Sequence, residues 1–175
     1  MDPGDADSGV CLAELIAALS LATDLGLGQP MEHVLRECVL ALGLGDRLGL
    51  DAGECSVAYY VALLAWVGCH ADSYEQARWF GDEITAKADL YRSDMAGVEK
   101  ARFVMRHVGS DQAGIARART ALQFLASGRE AMETMHSTHC LIAGELATRV
   151  GLGEPVRDAL LQVFSAGTAR ATPAV

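Results

Sequence analysis

Apolar residues recur along this chain at three- and four-residue spacing, and no stretch alternates with period two for long enough to predict a strand. Leu12, Leu15, Ile16 and Leu19 form an i, i+3, i+4, i+7 stripe, so a first helix is expected to bury that face before Gly26-Leu27-Gly28 ends it. Pro30 suits the first turn of a second helix, with Val34, Leu35, Cys38 and Leu42 facing inward and a stop at Gly49. Asp51 followed by Glu54 is a capping-box start for a third helix. Its run from Val57 to Val67 is apolar on nearly every side, which places it at the centre of the fold.

Beyond Gly68, Asp72 or Ser73 can cap a helix reaching about Leu90, with Trp79, Phe80 and Ile84 inward. Ser93-Asp94 can start the next helix and Gly109 stop it. Ser110-Asp111 can start another, which carries Ile115, Ala118, Leu122 and Leu125 on one face and ends at Gly128. The last two helices are expected over about Arg129 to Val150 and Pro155 to Phe164, the second with Val156, Ala159, Leu160 and Val163 at helical spacing. The fold class is therefore all-α, a single bundle of about eight helices over residues 11–164. Residues 1–10, acidic and Gly-rich, are expected to be a flexible start. Residues 165–175, an Ala/Thr-rich stretch without amphipathic pattern, are expected to be a disordered tail.

The chain has 175 residues, 51% of them apolar and 21% charged, which fits one globular domain with a real core. A net charge of -9 argues against nucleic acid and anionic membrane as partners. The opening residues lack the basic and then apolar order of a signal peptide, and the densest apolar run falls short of the roughly 20 residues that span a bilayer. A cytoplasmic protein is expected. Cys11, Cys38, Cys55, Cys69 and Cys140 are odd in number and widely scattered, so they read as reduced core thiols and not as a zinc site. Neither a phosphate-binding glycine loop nor a serine nucleophile elbow is present.

The run Tyr60-Val61-Ala62-Leu63-Leu64-Ala65-Trp66-Val67-Gly68-Cys69 resembles the third-helix motif of HD-domain phosphohydrolases, most closely the HD-GYP branch, which reads Ala-x-Leu-Leu-His-Asp-Ile-Gly-Lys. Ala65-Trp66 stands where that motif has its metal-binding His-Asp, and Cys69 where it has lysine. The resemblance carries further to Gln29-Pro30-Met31-Glu32-His33-Val34-Leu35-Arg36, with His33 sixteen residues before Gly49 of Leu48-Gly49-Leu50, and to Thr138-His139-Cys140-Leu141-Ile142-Ala143-Gly144. It implies an HD-like helical fold in which His33 and His139 are the surviving metal ligands. The family's later His-His-Glu and Gly-Tyr-Pro block has no counterpart, because the chain instead reads Leu161-Gln162-Val163-Phe164 and runs into the tail.

Each candidate has a plainer reading beside the chemical one. His33 shares a helix face with Glu37 and can hydrogen-bond to it, which a structural histidine also does. His136 and His139 are three apart, a spacing that can converge on one ion and commonly does not. His70-Ala71-Asp72 is a displaced His-Asp on paper, but it lies past Gly68 in a turn. Lys100, Arg102, Arg106 and His107, with Arg117 and Arg119, could meet phosphate or form a solvated face beside Glu99 and Asp111. Trp79-Phe80 and Tyr59-Tyr60 read as packing residues.

The function expected from this pattern is a degenerate HD-like domain without catalytic residues or cofactor, serving as a regulatory or interaction module with a protein partner or as a homo-oligomer. The alternative is an active phosphohydrolase, a cyclic dinucleotide or nucleotide phosphodiesterase, with a rearranged site for Mn, Fe or Zn built on His33 and His139.

Overall fold

A computed structural model describes residues 11–93 and 97–163. Among these residues the chain is all-α, with eight helices joined by turns and no strand. Helix α1 spans Leu12–Gly26, α2 His33–Leu48, α3 Ala52–Leu64, α4 Ser73–Phe80, α5 Glu83–Leu90, α6 Gly97–His107, α7 Gly114–Arg149 and α8 Glu154–Gln162. A short 3-10 turn, Val67–His70, continues α3. Residues 1–10, Asp94, Phe164 and the 165–175 tail lie outside the described residues.

Local signals set several ends as expected. Gly49 closes α2 in the left-handed region at φ 74°. The Asp51 carboxylate accepts from Glu54 N at 2.9 Å while Glu54 returns the bond to Asp51 N at 2.9 Å, a complete capping box. Pro155 stands in the first turn of α8.

Two apolar clusters share α7 as their spine. The larger joins Ile16, Val34, Cys38, Leu63, Leu64, Ala143, Ala147, Val156 and Leu160, from α1, α2, α3, the C-terminal half of α7 and α8. Each large side chain buried there contributes roughly 1.5–3 kcal/mol. The smaller joins Phe80, Ala86, Phe103 and Val108, backed by Trp79, Phe124 and Met132.

Packing overrules several pattern-based expectations. In α1 only half of the expected stripe is covered: Ile16 is buried and Leu12 packs against the core, while Leu15 is 58% exposed and Leu19 is also exposed. The buried face continues from Ile16 through the polar Ser20, Thr23 and Asp24, and it can do so because the Ser20 hydroxyl donates to Ala17 O and the Thr23 hydroxyl to Leu19 O. Helix α2 begins at His33 and not at Pro30, since Glu32 adopts φ 68° and interrupts the turn. The single helix expected over 72–90 is split at Gly81, whose φ of +73° no helix accommodates, and Ile84 lies exposed. Helix α7 starts at Gly114 and runs unbroken for 36 residues through Gly128. A helix-interior glycine costs about 1 kcal/mol against alanine and does not by itself end a helix.

Helix α3 lies against α1, α2 and α8, yet full burial is reached only at Leu63, Leu64 and Ala65, and Val57 to Ala62 are half-buried. Ala52–His70 has the length and composition of a bilayer-crossing segment, at 19 residues and a mean hydropathy of 1.3. Within it α3 packs on three helices of the bundle, while only 22% of its apolar window is buried. The five cysteines are free; Cys11 is exposed, against the expectation of core thiols, while Cys38 and Cys140 are buried.

Candidate functional site

His33 is held from outside its own helix. Asp24, fully buried near the end of α1, accepts His33 N at 3.0 Å and Val34 N at 3.1 Å, one on each carboxylate oxygen. It supplies the N-terminal cap of α2 that Glu32 does not. A carboxylate at a helix N-terminus also opposes the positive end of the helix dipole. The His33 ring then places Nε2 3.2 Å from Glu37 Oε1, one turn along, although the alignment makes no hydrogen bond.

Glu37 faces a second group. The indole Nε1 of Trp66 donates to Glu37 Oε2 at 2.8 Å. Trp66 in turn stands edge-on to His139, with ring centroids 6.5 Å apart and planes at 89°. The Tyr91 ring packs against both Trp66, at 5.4 Å, and His33, at 6.0 Å. One indole thus contacts both Glu37 of the His33–Glu37 pair and His139. Burial pushes the Tyr91 phenol well above its ordinary range, so it stays protonated.

His139 lies buried on α7, and both ring nitrogens are engaged. Nε2 donates to the Ala65 carbonyl, and Nδ1 lies 3.2 Å from Cys69 Sγ. A carbonyl can only accept, so Nε2 carries the proton and Nδ1 accepts from the Cys69 thiol. Both groups are neutral in this arrangement. Burial lowers the His139 pKa and raises the Cys69 thiol to about 11, each favouring the uncharged form. The pair lacks the thiolate that a cysteine nucleophile needs.

Two further features pin this corner. A Cβ at Gly68 would collide with the His139 backbone, so the absent side chain lets the 3-10 turn press against α7. Lys87, nearly buried on α5, points its ammonium at Gly26 O and Cys69 O, each at 3.5 Å, and at the Ser73 hydroxyl at 3.3 Å. Burial lowers its pKa and raises that of buried Asp72.

Of the residues singled out from sequence, His33 and His139 are related through Glu37, Tyr91 and Trp66. His136 is exposed on α7 while His139 is buried. His70 Nε2 donates to Ala22 O at 3.3 Å and packs over Gly26, apart from Asp72. No group of three or more His, Cys, Asp or Glu side chains among the described residues is placed to hold a metal ion. Sequence reasoning missed Asp24, Tyr91, Lys87 and the Cys69–His139 contact. It did anticipate that Glu37 would face His33.

A partial match relates 150 residues, 85% of this chain, to the 3'3'-cGAMP-specific phosphodiesterase 3 of Vibrio cholerae at 25% identity. The match covers 33% of that protein's length. No family model and no solved structure matches. The likeness supports at most a distant kinship with HD-type phosphohydrolases, the same family that the helix pattern resembles.

Proposed function

We propose that this domain is a non-catalytic, HD-like regulatory or interaction module. The observation that carries the reading is the state of His139, whose two nitrogens are committed to Ala65 O and Cys69 Sγ, with Trp66 contacting both it and Glu37. A divalent ion used in hydrolysis needs several donors converging at short distance, commonly imidazoles and bridging carboxylates. The donors here do not fit that need. His33 and Glu37 form one pair, His139 is turned to other partners, and an indole cannot coordinate. An active phosphodiesterase would require Trp66 to leave Glu37 and His139 to give up a hydrogen bond.

The test is elemental analysis after incubation with Mn, Fe and Zn, beside a His33→Ala/His139→Ala double variant, together with an assay for hydrolysis of 3'3'-cGAMP. Metal no higher than in the double variant, and no turnover, is the expected outcome. Near-stoichiometric metal that disappears in the double variant would overturn the proposal.

A further inference from the structure

We infer that the outer face of α1 is the surface through which two copies of this chain pair, antiparallel. Leu15 and Leu25 are 58% and 62% exposed, Leu19 is 41% exposed, and Ala18 and Ala22 lie exposed between them. The covered side of the helix is Ile16, Ser20, Thr23 and Asp24, so most of its leucines are turned away from the bundle. Glu14 is the only charged residue of α1 besides buried Asp24. A solvated helix face of this length ordinarily carries charged and polar residues. A contiguous apolar one marks a surface that packs on something.

The spacing names the occupant. Leu15, Ala18, Ala22 and Leu25 stand three, four and three residues apart, an order that reads the same from either end. Around a two-fold axis at Ser20, Leu15 of one copy falls level with Leu25 of the other, and Ala18 with Ala22. Alanine against alanine at the centre lets the two helix axes approach closely, and leucine against leucine closes both ends. Glu14 falls level with Gly26 of the second copy, so no charge meets a like charge on a molecule whose net charge is -9. The two Glu14 carboxylates then lie about 18 Å apart along the axes, beyond the screening length of roughly 8 Å.

Other occupants fit less well. Helices that lie in a membrane surface carry Lys or Arg beside their apolar face, and α1 has neither. Residues 1–10 and 165–175 hold no leucine, isoleucine or aromatic side chain with which to cover the face. A foreign helix would have to reproduce a symmetric pattern that this chain already supplies. The patch is on the order of a few hundred Å² per copy. Stable complexes bury about 1,200 Å² or more in total, so the dimer is expected to be weak and reversible.

This pairing rests on the interaction reading above but fails separately from it. Metal uptake would sink that reading without changing the oligomeric state, and a monomer would leave the metal result as it stands. Sedimentation equilibrium of the full chain, from about 10 to about 500 μM, is expected to show a monomer-dimer equilibrium. Leu15→Glu/Leu25→Glu should weaken it by about tenfold or more with far-UV circular dichroism unchanged. Leu141→Glu, on an α7 leucine that is 62% exposed, should leave it unaltered. Disulfide crosslinking in a Cys11→Ser background reads the geometry. Chains carrying Ala18→Cys, mixed with chains carrying Ala22→Cys, should crosslink to each other faster than to their own kind, because a disulfide accepts Cα separations of only about 4.4–6.8 Å. A monomer throughout, a dimer that survives Leu15→Glu/Leu25→Glu or that Leu141→Glu weakens equally, or crosslinking mainly between like chains overturns the inference. So does binding to phosphatidylcholine/phosphatidylserine vesicles that the Leu15→Glu/Leu25→Glu variant loses, which would assign the face to a membrane.

Discussion

Trp66 Nε1 donates to Glu37 Oε2 at 2.8 Å across 29 positions of sequence, which ties the end of α3 to the first turns of α2. The same carboxylate lies 3.2 Å from His33 Nε2 through its other oxygen. Glu37 therefore depends on Trp66 for its one neutral hydrogen-bond donor among these contacts. Trp66→Phe removes the N–H and replaces the indole by a smaller aromatic ring, and the lost hydrogen bond and packing together are expected to cost about 1–3 kcal/mol in urea unfolding. A cost within error of zero would mean that neither the bond nor the indole packing contributes to the folded state.

Asp24 caps a helix that begins nine residues later. Asp24→Ala leaves Val34 N at the α2 terminus without an acceptor and His33 N with only the Pro30 carbonyl at 3.2 Å, a loss of roughly 2 kcal/mol. Asp24→Asn keeps one acceptor oxygen and should fall between the two. Equal losses for both variants would assign the stability to charge and not to the count of hydrogen bonds.

Gly68 is a packing glycine. Its alanine variant forces a methyl into the His139 backbone, and overpacking of this kind costs about 1–3 kcal/mol. The Trp66 fluorescence spectrum should shift as well, because the turn that carries Gly68 follows directly on Trp66. An unfolding midpoint equal to that of the parent protein would contradict the close approach.

Burial depresses the His139 pKa below its unfolded value, about 6.5. Above that value both states are neutral and the stability is fully present. As pH falls below it the unfolded chain takes up a proton that the folded chain resists, so stability declines through the folded pKa. The urea midpoint is expected to drop between pH 7.5 and pH 5, and His139→Gln should flatten the slope over that window. An unchanged slope in the variant would assign the decline to other groups.

Cys69 donates its thiol proton to His139 and has a pKa of about 11. Burial raises this thiol above its ordinary range, which cuts its thiolate fraction at neutral pH. Iodoacetamide at pH 7.5 should therefore modify exposed Cys11 first and leave Cys69 intact on the same timescale, as read by peptide mass mapping. Rapid labelling of Cys69 would show an ionised thiol beside His139.

The helices were legible where the signal is local. The capping box of Asp51 and Glu54 lies within one turn, and Gly49 stops α2 through its own backbone freedom. The apolar run of α3 likewise announces a core segment, although the bundle leaves much of it half-buried. At the candidate site the Glu37–His33 proximity follows from i, i+4 spacing alone. The Cys69–His139 contact spans 70 positions, and no periodicity predicts it.

Stripes proved the least reliable guide to packing. The α1 stripe of Leu12, Leu15, Ile16 and Leu19 and the α7 stripe of Ile115, Ala118, Leu122 and Leu125 are both sound amphipathic patterns, yet Leu15 and Leu122 face outward. Gly128 reads as a stop and lies inside a 36-residue helix.

By itself the sequence determined that the chain is helical, where several helices begin and end, and that Ala65-Trp66 stands where the motif it resembles has a metal-binding pair. Those properties arise from hydrogen bonds and side-chain spacing within a few residues. Only the tertiary structure decided which face of each helix is covered, that Asp24 caps α2, and that Trp66 contacts both Glu37 and His139. Such relations depend on how separate helices pack, and the free energy of packing is set by surfaces distant in the chain.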